Sequence, residues 1–341
     1  MRTYGENLGT ARRLFAVVLA SALCALGPTV SQAQPRSGGE SFASRPLNLI
    51  VTFAPGGSTD IVGRLIAQKL GEQLNQTVVV LNKPGASGSI GVSELVRAPA
   101  DGQTLLVNIV TTAVINSMTL PSVPYDPVKD LQPVALVGML PNVVIINKNI
   151  PASNLGEFVT WARAHPDKAT FGTGGPGGVQ HLTGELLGDL LGFTWTHVPY
   201  KGAAPAIQDL LGGNISAVID NVTGPMSFIK SGQVRALGVT TNQRVAELPD
   251  VPTLNEAGAK GFSNSSWISV FTRSGVPDAV LRKLEAAVLA AARDPEFQDK
   301  LRELGAIPTQ MNTEELTRFW LDEFPYWEQA VKSAKLQGKQ P

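Results

Sequence analysis

The chain is poor in the residues that usually betray chemistry. It has one cysteine in 341 residues, Cys24. That residue falls in a segment read below as an export signal, so the remainder can form no internal disulfide and must be held by packing. Its three histidines, His165, His181 and His197, show no paired metal spacing and have no cysteine to join them, so no metal is expected. Charged residues make up only 16% of the chain, 28 basic against 28 acidic, and no basic block stands out. Nucleic acid is therefore not an expected partner. Catalytic signatures are missing too. Gly85-Ala86-Ser87-Gly88-Ser89 fails the Gly-x-Ser-x-Gly pattern at its last position, and no Gly-Lys-Ser/Thr follows a glycine loop.

Long hydrophobic runs are also lacking. The run Leu14 to Leu26 is well short of the ~20 residues needed to span a bilayer. With Arg12-Arg13 before it and Thr29-Val30-Ser31-Gln32-Ala33 after it, it has the three parts of a secretory signal over residues 1–33, cleaved after Ala33. Leu23 stands where a lipoprotein signal wants a small residue, which leaves Cys24 in the discarded segment. Removal takes away Arg2, Arg12, Arg13 and Glu6, leaving 25 basic and 27 acidic residues. Residues 34–44 are polar and read as a flexible lead-in. Beyond them lie about 300 residues in a chain that is 43% hydrophobic, enough for large cores and suited to two domains.

One pattern occurs three times. Leu47 to Phe53 reads as a buried strand, Ala54-Pro55-Gly56-Gly57-Ser58-Thr59-Asp60 as a glycine turn, and Ile61, Leu65, Ile66, Leu70 and Leu74 recur at helical spacing. Ser58, Thr59 or Asp60 can cap that helix, leaving amide N–H groups beside Phe53 and Ala54 free for an anion. The second instance has strand Thr77 to Leu81, turn Lys83 to Ser89 and a helix from about Ile90. The third has a strand to Phe171, the loop Gly172-Thr173-Gly174-Gly175-Pro176-Gly177-Gly178, and a helix carrying Leu182, Leu186, Leu187, Leu190 and Leu191. In open α/β sheets such turns lie at the carboxyl ends of strands, where ligands bind.

Strand and helix patterns alternate from Arg45 to about Leu140, as in a sheet with helices on its faces. Val134 to Met139 and Val143 to Asn147 read as strands leaving that first domain. A second α/β unit follows, with Asn154 or Ser153 capping a helix from Leu155. It continues through strand Thr196 to Pro199, loop Tyr200-Lys201-Gly202-Ala203-Ala204-Pro205, helix Ala206 to Leu211 and a strand ending at Asp220-Asn221. Trp267 to Phe271 reads as the return. The expected division is 45–141 with 269–341 as domain 1, and 142–268 as domain 2. Pro277-Asp278 opens one tail helix, and Asn312 with Glu315 forms a capping-box pattern for the last. Trp320, Tyr326 and Trp327 there are expected to supply buried area between domains rather than a ligand site.

Gly172-x-Gly174-x-x-Gly177 matches the dinucleotide fingerprint in strand-to-helix context, but the next strand ends in Tyr200-Lys201 instead of an acidic residue. That leaves an NADP-dependent enzyme as a minor alternative. A binding role is preferred, with no enzyme activity and no cofactor.

The segments Phe53-Ala54-Pro55-Gly56-Gly57-Ser58-Thr59-Asp60, Lys83-Pro84-Gly85-Ala86-Ser87-Gly88, Gly174-Gly175-Pro176-Gly177-Gly178 with His181, Tyr200-Lys201-Gly202, and Leu248-Pro249-Asp250-Val251-Pro252-Thr253 resemble the motifs of the tripartite tricarboxylate transporter receptors, the Bug-type periplasmic binding proteins. The resemblance runs from about Arg45 to the C-terminus. It implies an α/β periplasmic binding protein fold of type II character, with two domains, each a mostly parallel sheet flanked by helices, and crossing strands as hinge. It further implies a monomeric periplasmic receptor that closes on a small carboxylate and hands it to membrane permease subunits. A receptor that feeds a signalling system would use the same closure.

In that family the loops matching 53–60 and 172–178 grip a carboxylate largely through main-chain N–H groups. The expected ligand-binding set is Phe53, Ala54, Gly56, Gly57, Ser58, Asp60, Ser87, Thr111, Thr173, Gly174, Gly175, Gly177, His181, Lys201 and Asp220. Each side chain has a plainer role open to it. Asp60 would repel an anion and is expected to cap its helix unless the ligand carries an amine. Ser87 either bonds the ligand or caps the helix from Ile90. Thr111 and Thr112 point to the cleft or satisfy loop backbone. His181 touches ligand or bonds a loop carbonyl. Lys201 is the cation for a second carboxylate or a solvated lysine. Asp220 caps the following helix or selects a polar ligand.

Overall fold

The computed structural model describes residues 45–337. The expected export signal and lead-in lie outside those residues. The described chain forms two α/β lobes, each built on one sheet.

The first lobe begins with β1 (Leu47–Val51), α1 (Ser58–Leu74), β2 (Val78–Asn82), α2 (Ser89–Arg97) and β3 (Thr104–Ile109). Helix α1 forms because Val62, Leu65, Ile66 and Leu70 fall on one face and are buried against the sheet. It stops at Asn75, which adopts the left-handed conformation that satisfies carbonyls of the last turn. A π-helical turn, Thr111–Ile115, runs into α3 (Asn116–Thr119). After α4 (Pro127–Asp130), β4 (Leu131–Leu140) completes this part of the sheet.

Only Pro141 separates β4 from β5 (Asn142–Asn147), which already belongs to the second lobe. That lobe continues through α5 (Leu155–Ala164), β6 (Thr170–Thr173), α6 (Val179–Leu191), β7 (Thr196–Pro199), α7 (Ala203–Gly212), β8 (Ala217–Asn221), α8 (Met226–Lys230) and β9 (Val234–Val239). The chain returns to the first sheet at β10 (Ser266–Arg273) and ends with α9 (Asp278–Arg293), α10 (Pro295–Glu303), β11 (Ile307–Met311) and α11 (Thr313–Ser333).

The first sheet has the order β11-β4-β10-β3-β1-β2 and the second β7-β6-β8-β5-β9. Two α/β lobes flanked by helices match the expected fold class, but the sheets are mixed rather than mostly parallel. Strand β1 runs parallel to β2 and β3, and β6 parallel to β7 and β8. The crossing strands β4, β5 and β10 pair antiparallel, as do the edge strands β9 and β11. The reason is topological: a strand entering from the other lobe needs no helical crossover, so nothing forces it parallel.

The crossing is tied by polar side chains. Asn142 donates to Asn264 Oδ1 at 3.3 Å, Thr240 Oγ1 to the Asn264 carbonyl at 2.7 Å, and Asn264 Nδ2 to Thr183 at 2.9 Å. On one face of the first sheet Leu49, Val51, Ile66, Leu284 and Phe297 pack together; on the other lie Leu106, Trp267, Phe271, Trp320 and Trp327. Each such side chain contributes about 1.5–3 kcal/mol on burial. Trp320 and Trp327 are buried as expected, the former also donating to the Ala113 carbonyl at 3.0 Å, but Tyr326 is not: it is 50% exposed, its hydroxyl donating to the Ser263 carbonyl at 3.3 Å. Val179 and Leu182 of α6 join this core from the second lobe, so the two lobes are closed on each other.

Candidate functional site

The lobes meet through loops at the carboxyl ends of β1, β2, β3, β6, β7 and β8. In the loop after β1, Gly56 has φ +82, which a side chain rarely adopts, and Gly57 is the N-cap of α1. No side chain caps that helix. Asp60 instead reaches back to the Gly56 N–H at 2.9 Å, and it also accepts from Arg64 Nε at 2.9 Å and Asn82 Nδ2 at 2.8 Å. Burial opposes its ionisation, but the hydrogen bonds from Arg64, Gly56 and Asn82 outweigh it and hold the carboxyl below its ordinary value. Asp60 therefore braces the loop and has no free face for a ligand amine.

The loop after β2 does not cap α2 through Ser87. Ser87 takes φ +50 and its hydroxyl donates across the cleft to the Pro176 carbonyl. Its own carbonyl accepts from Asn116 Nδ2 at 3.0 Å. Thr111 also works across the cleft, accepting the first amide of α6, Val179 N–H, at 3.3 Å. Thr112 turns inward to Asn108 and the Ile109 carbonyl.

The loop after β6 is tied by its own side chains. Thr173 Oγ1 donates to the Gly175 carbonyl at 2.9 Å and lies 2.7 Å from His197 Nε2. His181 Nδ1 accepts from Gly177 N–H at 2.9 Å, the reverse of the carbonyl contact expected for it. The rings of His181 and His197 stack at 3.7 Å with planes 15° apart. Burial, then repulsion from His181, drives His197 down to about 3, so the His197 ring is neutral at neutral pH. Gly177, at φ +73, passes so close to the first lobe that a Cβ would sit 2.5 Å from Thr119 Oγ1.

Helix α7 opens at Gly202, φ +122, again with no side-chain cap, and its first amide lies close to the N-cap of α1. A Cβ on Gly57 would lie 3.7 Å from Ala203 N and 3.8 Å from Ala204 N. From the end of β8, Asp220 Oδ1 accepts from Ser58 Oγ at 3.2 Å, and Asn221 Nδ2 donates to the same Ser58 oxygen at 3.2 Å. Asp220 is 4% exposed, and its Oδ2 has no partner, nor has Asn221 Oδ1 or Thr223 Oγ1. Burial pushes its carboxyl up to about 7 against the pull of Asn221 N–H and Ser58. It does not cap α8, whose N-cap is Pro225.

These loops enclose a cavity of ≈ 20 Å³ lined by Phe53, Gly57, Ser58, Thr59, Ile109, Gly174, Gln180, Ala203, Asp220 and Asn221. That is room for one water-sized group. Two helix N-termini face it, those of α1 and α7, and no lysine or arginine lines it. Of the expected residues the structure places Phe53, Gly57, Ser58, Gly174 and Asp220 on its wall, and Ala54 and Gly56 beside it against Gly202 and Ala204. Ser87, Thr111, Thr173, Gly175, Gly177 and His181 lie between or behind the lobes. Lys201 is exposed and absent from the lining, because its loop turns the side chain to solvent while Gly202 packs on Ala54. Sequence reasoning passed over Thr59, Ile109, Gln180, Ala203 and Asn221. Ala203 had a legible signal, as the first residue after a glycine that opens a helix.

The chain is similar to proteins of known family. The family model described as the tripartite tricarboxylate transporter family receptor matches residues 62–336. The solved periplasmic binding protein BugD is 35% identical, with TM-score 0.83 over 86% of this chain and 99% of that one. A Rhodopseudomonas palustris protein solved with adipate is 33% identical, TM-score 0.83, covering 86% of this chain and 98% of that one. MatC from the same organism, solved with malate, is 31% identical, TM-score 0.79, covering 84% of this chain and 99% of that one.

Proposed function

Because the chain belongs to the tripartite tricarboxylate transporter receptor family, a family of periplasmic solute-binding receptors, we propose that it captures a small carboxylate between its lobes and delivers it to a membrane permease. The observation that carries this reading is the meeting of the α1 and α7 N-termini at one interlobe cavity that no cationic side chain lines. Uncapped amides and helix dipoles favour an anion there. They do so without a buried charge pair, whose desolvation would have to be reversed on every release. Adipate and malate in the two relatives have the same chemistry.

A cavity of ≈ 20 Å³ is too small for either acid. Capture therefore requires the lobes to part about the crossing at Pro141 and Ser265 and to re-close around the ligand less tightly than seen here. The test is a thermal-shift series with adipate, malate, benzoate and a neutral sugar. A carboxylate that binds should raise stability by ~2.7 kcal/mol at a hundredfold excess over its dissociation constant. The sugar should do nothing. Scattering with that carboxylate should give a radius of gyration between that of the free protein and that of this closed form. If no carboxylate shifts the melting temperature, the reading fails. Delivery is tested separately, by uptake of the same acid in cells lacking this receptor with and without its permease subunits.

A further inference from the structure

Asp220 stands where an anion receptor should have no carboxylate. It lines the cavity that the α1 and α7 N-termini face, it is 4% exposed, and its Oδ2 has no partner. Among the described residues, the only side chain that donates to it is Ser58, from the opposite lobe. An ionised Asp220 on the wall and a carboxylate held at the facing helix N-termini would repel each other across the re-closed interface. We propose that Asp220 binds a proton when the lobes close on an anionic ligand, so that capture by this receptor is coupled to proton uptake. The neutral acid removes the like charge, with Oδ1 still held by Ser58 and Oδ2 lying against Gly224.

The surroundings leave no other group to take this part. β8 packs against β5, β6, α6 and α7, and meets the first turn of α1. The titratable groups on these elements are His181, Glu185 and Asp189 on α6, Asp209 on α7, and Asp60, Arg64, Lys69 and Glu72 on α1. His181 faces Gly177 and Glu185, Asp209 bonds Tyr200 and Asn214, and Asp60 bonds Arg64. Lys69 sits among Glu72, Asp294 and Glu296, and Asp189 is exposed. His197, on β7 beyond β6, is stacked on His181. Burial is the largest influence on Asp220 and no charged neighbour contributes, so in the closed lobes its carboxyl is pushed up to about 7.

The sign follows from the two forms. With the lobes apart Asp220 is hydrated and has an ordinary carboxyl pKa, and closure raises it; a second negative charge raises it further. The closed, loaded state therefore binds more protons than the free state across the interval between those values. Affinity is greatest on the acid side and falls as pH rises, by about tenfold per pH unit within that interval.

This inference rests on the carboxylate reading, and calorimetry separates the two. Whichever of adipate, malate and benzoate gives the largest thermal shift is titrated into the full protein between pH 6 and 9, in buffers of different ionisation enthalpy. The expected result is uptake approaching one proton per ligand and affinity falling at least about tenfold between pH 6.5 and 8.5. Asp220→Asn, neutral at every pH, should abolish the uptake and flatten the profile. Binding with no proton uptake and constant affinity would overturn this inference and leave the carboxylate reading standing. Loss of all binding in a folded Asp220→Asn would also overturn it, because the ionised carboxylate would then be required. No binding of any of the three acids at any pH would bring down the carboxylate reading first.

Discussion

Two glycine loops, 53–60 and 172–178, look alike in sequence and serve different ends in the structure. The first places Gly57, Ser58 and Thr59 on the cavity wall and leaves the α1 amides uncapped, while Asp60 holds it from behind. The second gives the cavity only Gly174. Gly175 to Gly178 are instead committed to Thr173, to His181 of α6, and to Ser87, Thr111 and Thr119 of the other lobe. A glycine turn before a helix has two uses, to expose amides or to let another surface approach closely, and these two loops divide them. On the function proposed above, the first is the one that would hold the anion, and the second is the one that lets the lobes close.

The sharpest test of that division is Gly177→Ala. A Cβ there would meet Thr119 Oγ1 at 2.5 Å and Thr119 Cβ at 2.8 Å, at φ +73. The left-handed conformation costs about 1–2 kcal/mol and the overpacking about 1–3 kcal/mol. The clash exists only when the lobes are shut, so it acts mainly on closure. The clash alone should lower affinity by roughly ten- to a hundredfold, since 1.4 kcal/mol is a factor of about ten, while the left-handed strain lowers the melting temperature of the free protein by a few degrees. Normal affinity for a carboxylate that the parent binds would refute the closing role of this loop.

Gly57→Val tests the other loop and should have the next largest effect. Here φ is −85, so the backbone tolerates a side chain and only space is at issue. The branched methyls would enter the cavity between the α1 and α7 amides, lowering affinity about tenfold or more, while the Cβ itself makes ordinary contact at 3.7 Å from Ala203 N where one on Gly177 would clash at 2.5 Å. Calorimetry and scattering read the two effects apart: Gly177→Ala should resist compaction, and Gly57→Val should still compact. If both behave the same way, the loops are not different.

A third test uses protons. His197 is buried beside His181 and stays neutral to about pH 3, against 6.5 for an unhindered imidazole. A histidine depressed in the folded state contributes stability that is complete above pH 6.5 and is lost as pH falls towards 3. Between pH 7 and pH 5 the parent should lose on the order of 1 kcal/mol more stability than His197→Gln, after allowance for the ring's partial exposure. Denaturant melts at the two pH values check it. Equal losses would mean that the histidine stack does not secure the second loop.

How much of this was legible follows from which contacts are local. Strand, glycine turn and helix are set by neighbours in sequence, so β1 to α1, β6 to α6 and the capping box at Asn312 and Glu315 could be read directly. Strand direction could not, because β10 inserts between β3 and β4 from more than 100 residues away. The same limit governs the site. Ser87 and Thr111 are hydroxyls beside a glycine turn, and nothing nearby says that their partners are Pro176 and Val179 in the other lobe. The stacking of His181 on His197 was hidden for the same reason, since their spacing suits no metal and they meet only through the pairing of β6 with β7. Asp220 could be picked out as polar at a strand end, but its missing partner is a fact of the closed lobes alone.

The smallest expected effect belongs to the residue that composition makes most tempting. Lys201 is the one cation in the sequence motifs placed near the second glycine loop, and a charge clamp would be the ordinary way to hold a carboxylate. In the structure its side chain is exposed, while Gly202 beside it packs on Ala54 and Ala203 lines the cavity. An exposed ammonium in water is worth little at a distance, and salt screens it further. Lys201→Ala should therefore change the affinity for a monocarboxylate such as benzoate by less than about twofold, within the range of surface substitutions. For a longer dicarboxylate, which holds the lobes further apart, the second carboxylate extends towards the rim and a loss of a few fold is expected. The opposite pattern, in which Lys201→Ala abolishes binding of every monocarboxylate while Gly57→Val binds normally, would place the anion on a side-chain charge. The helix amides of the first loop would then lose the role given to them here.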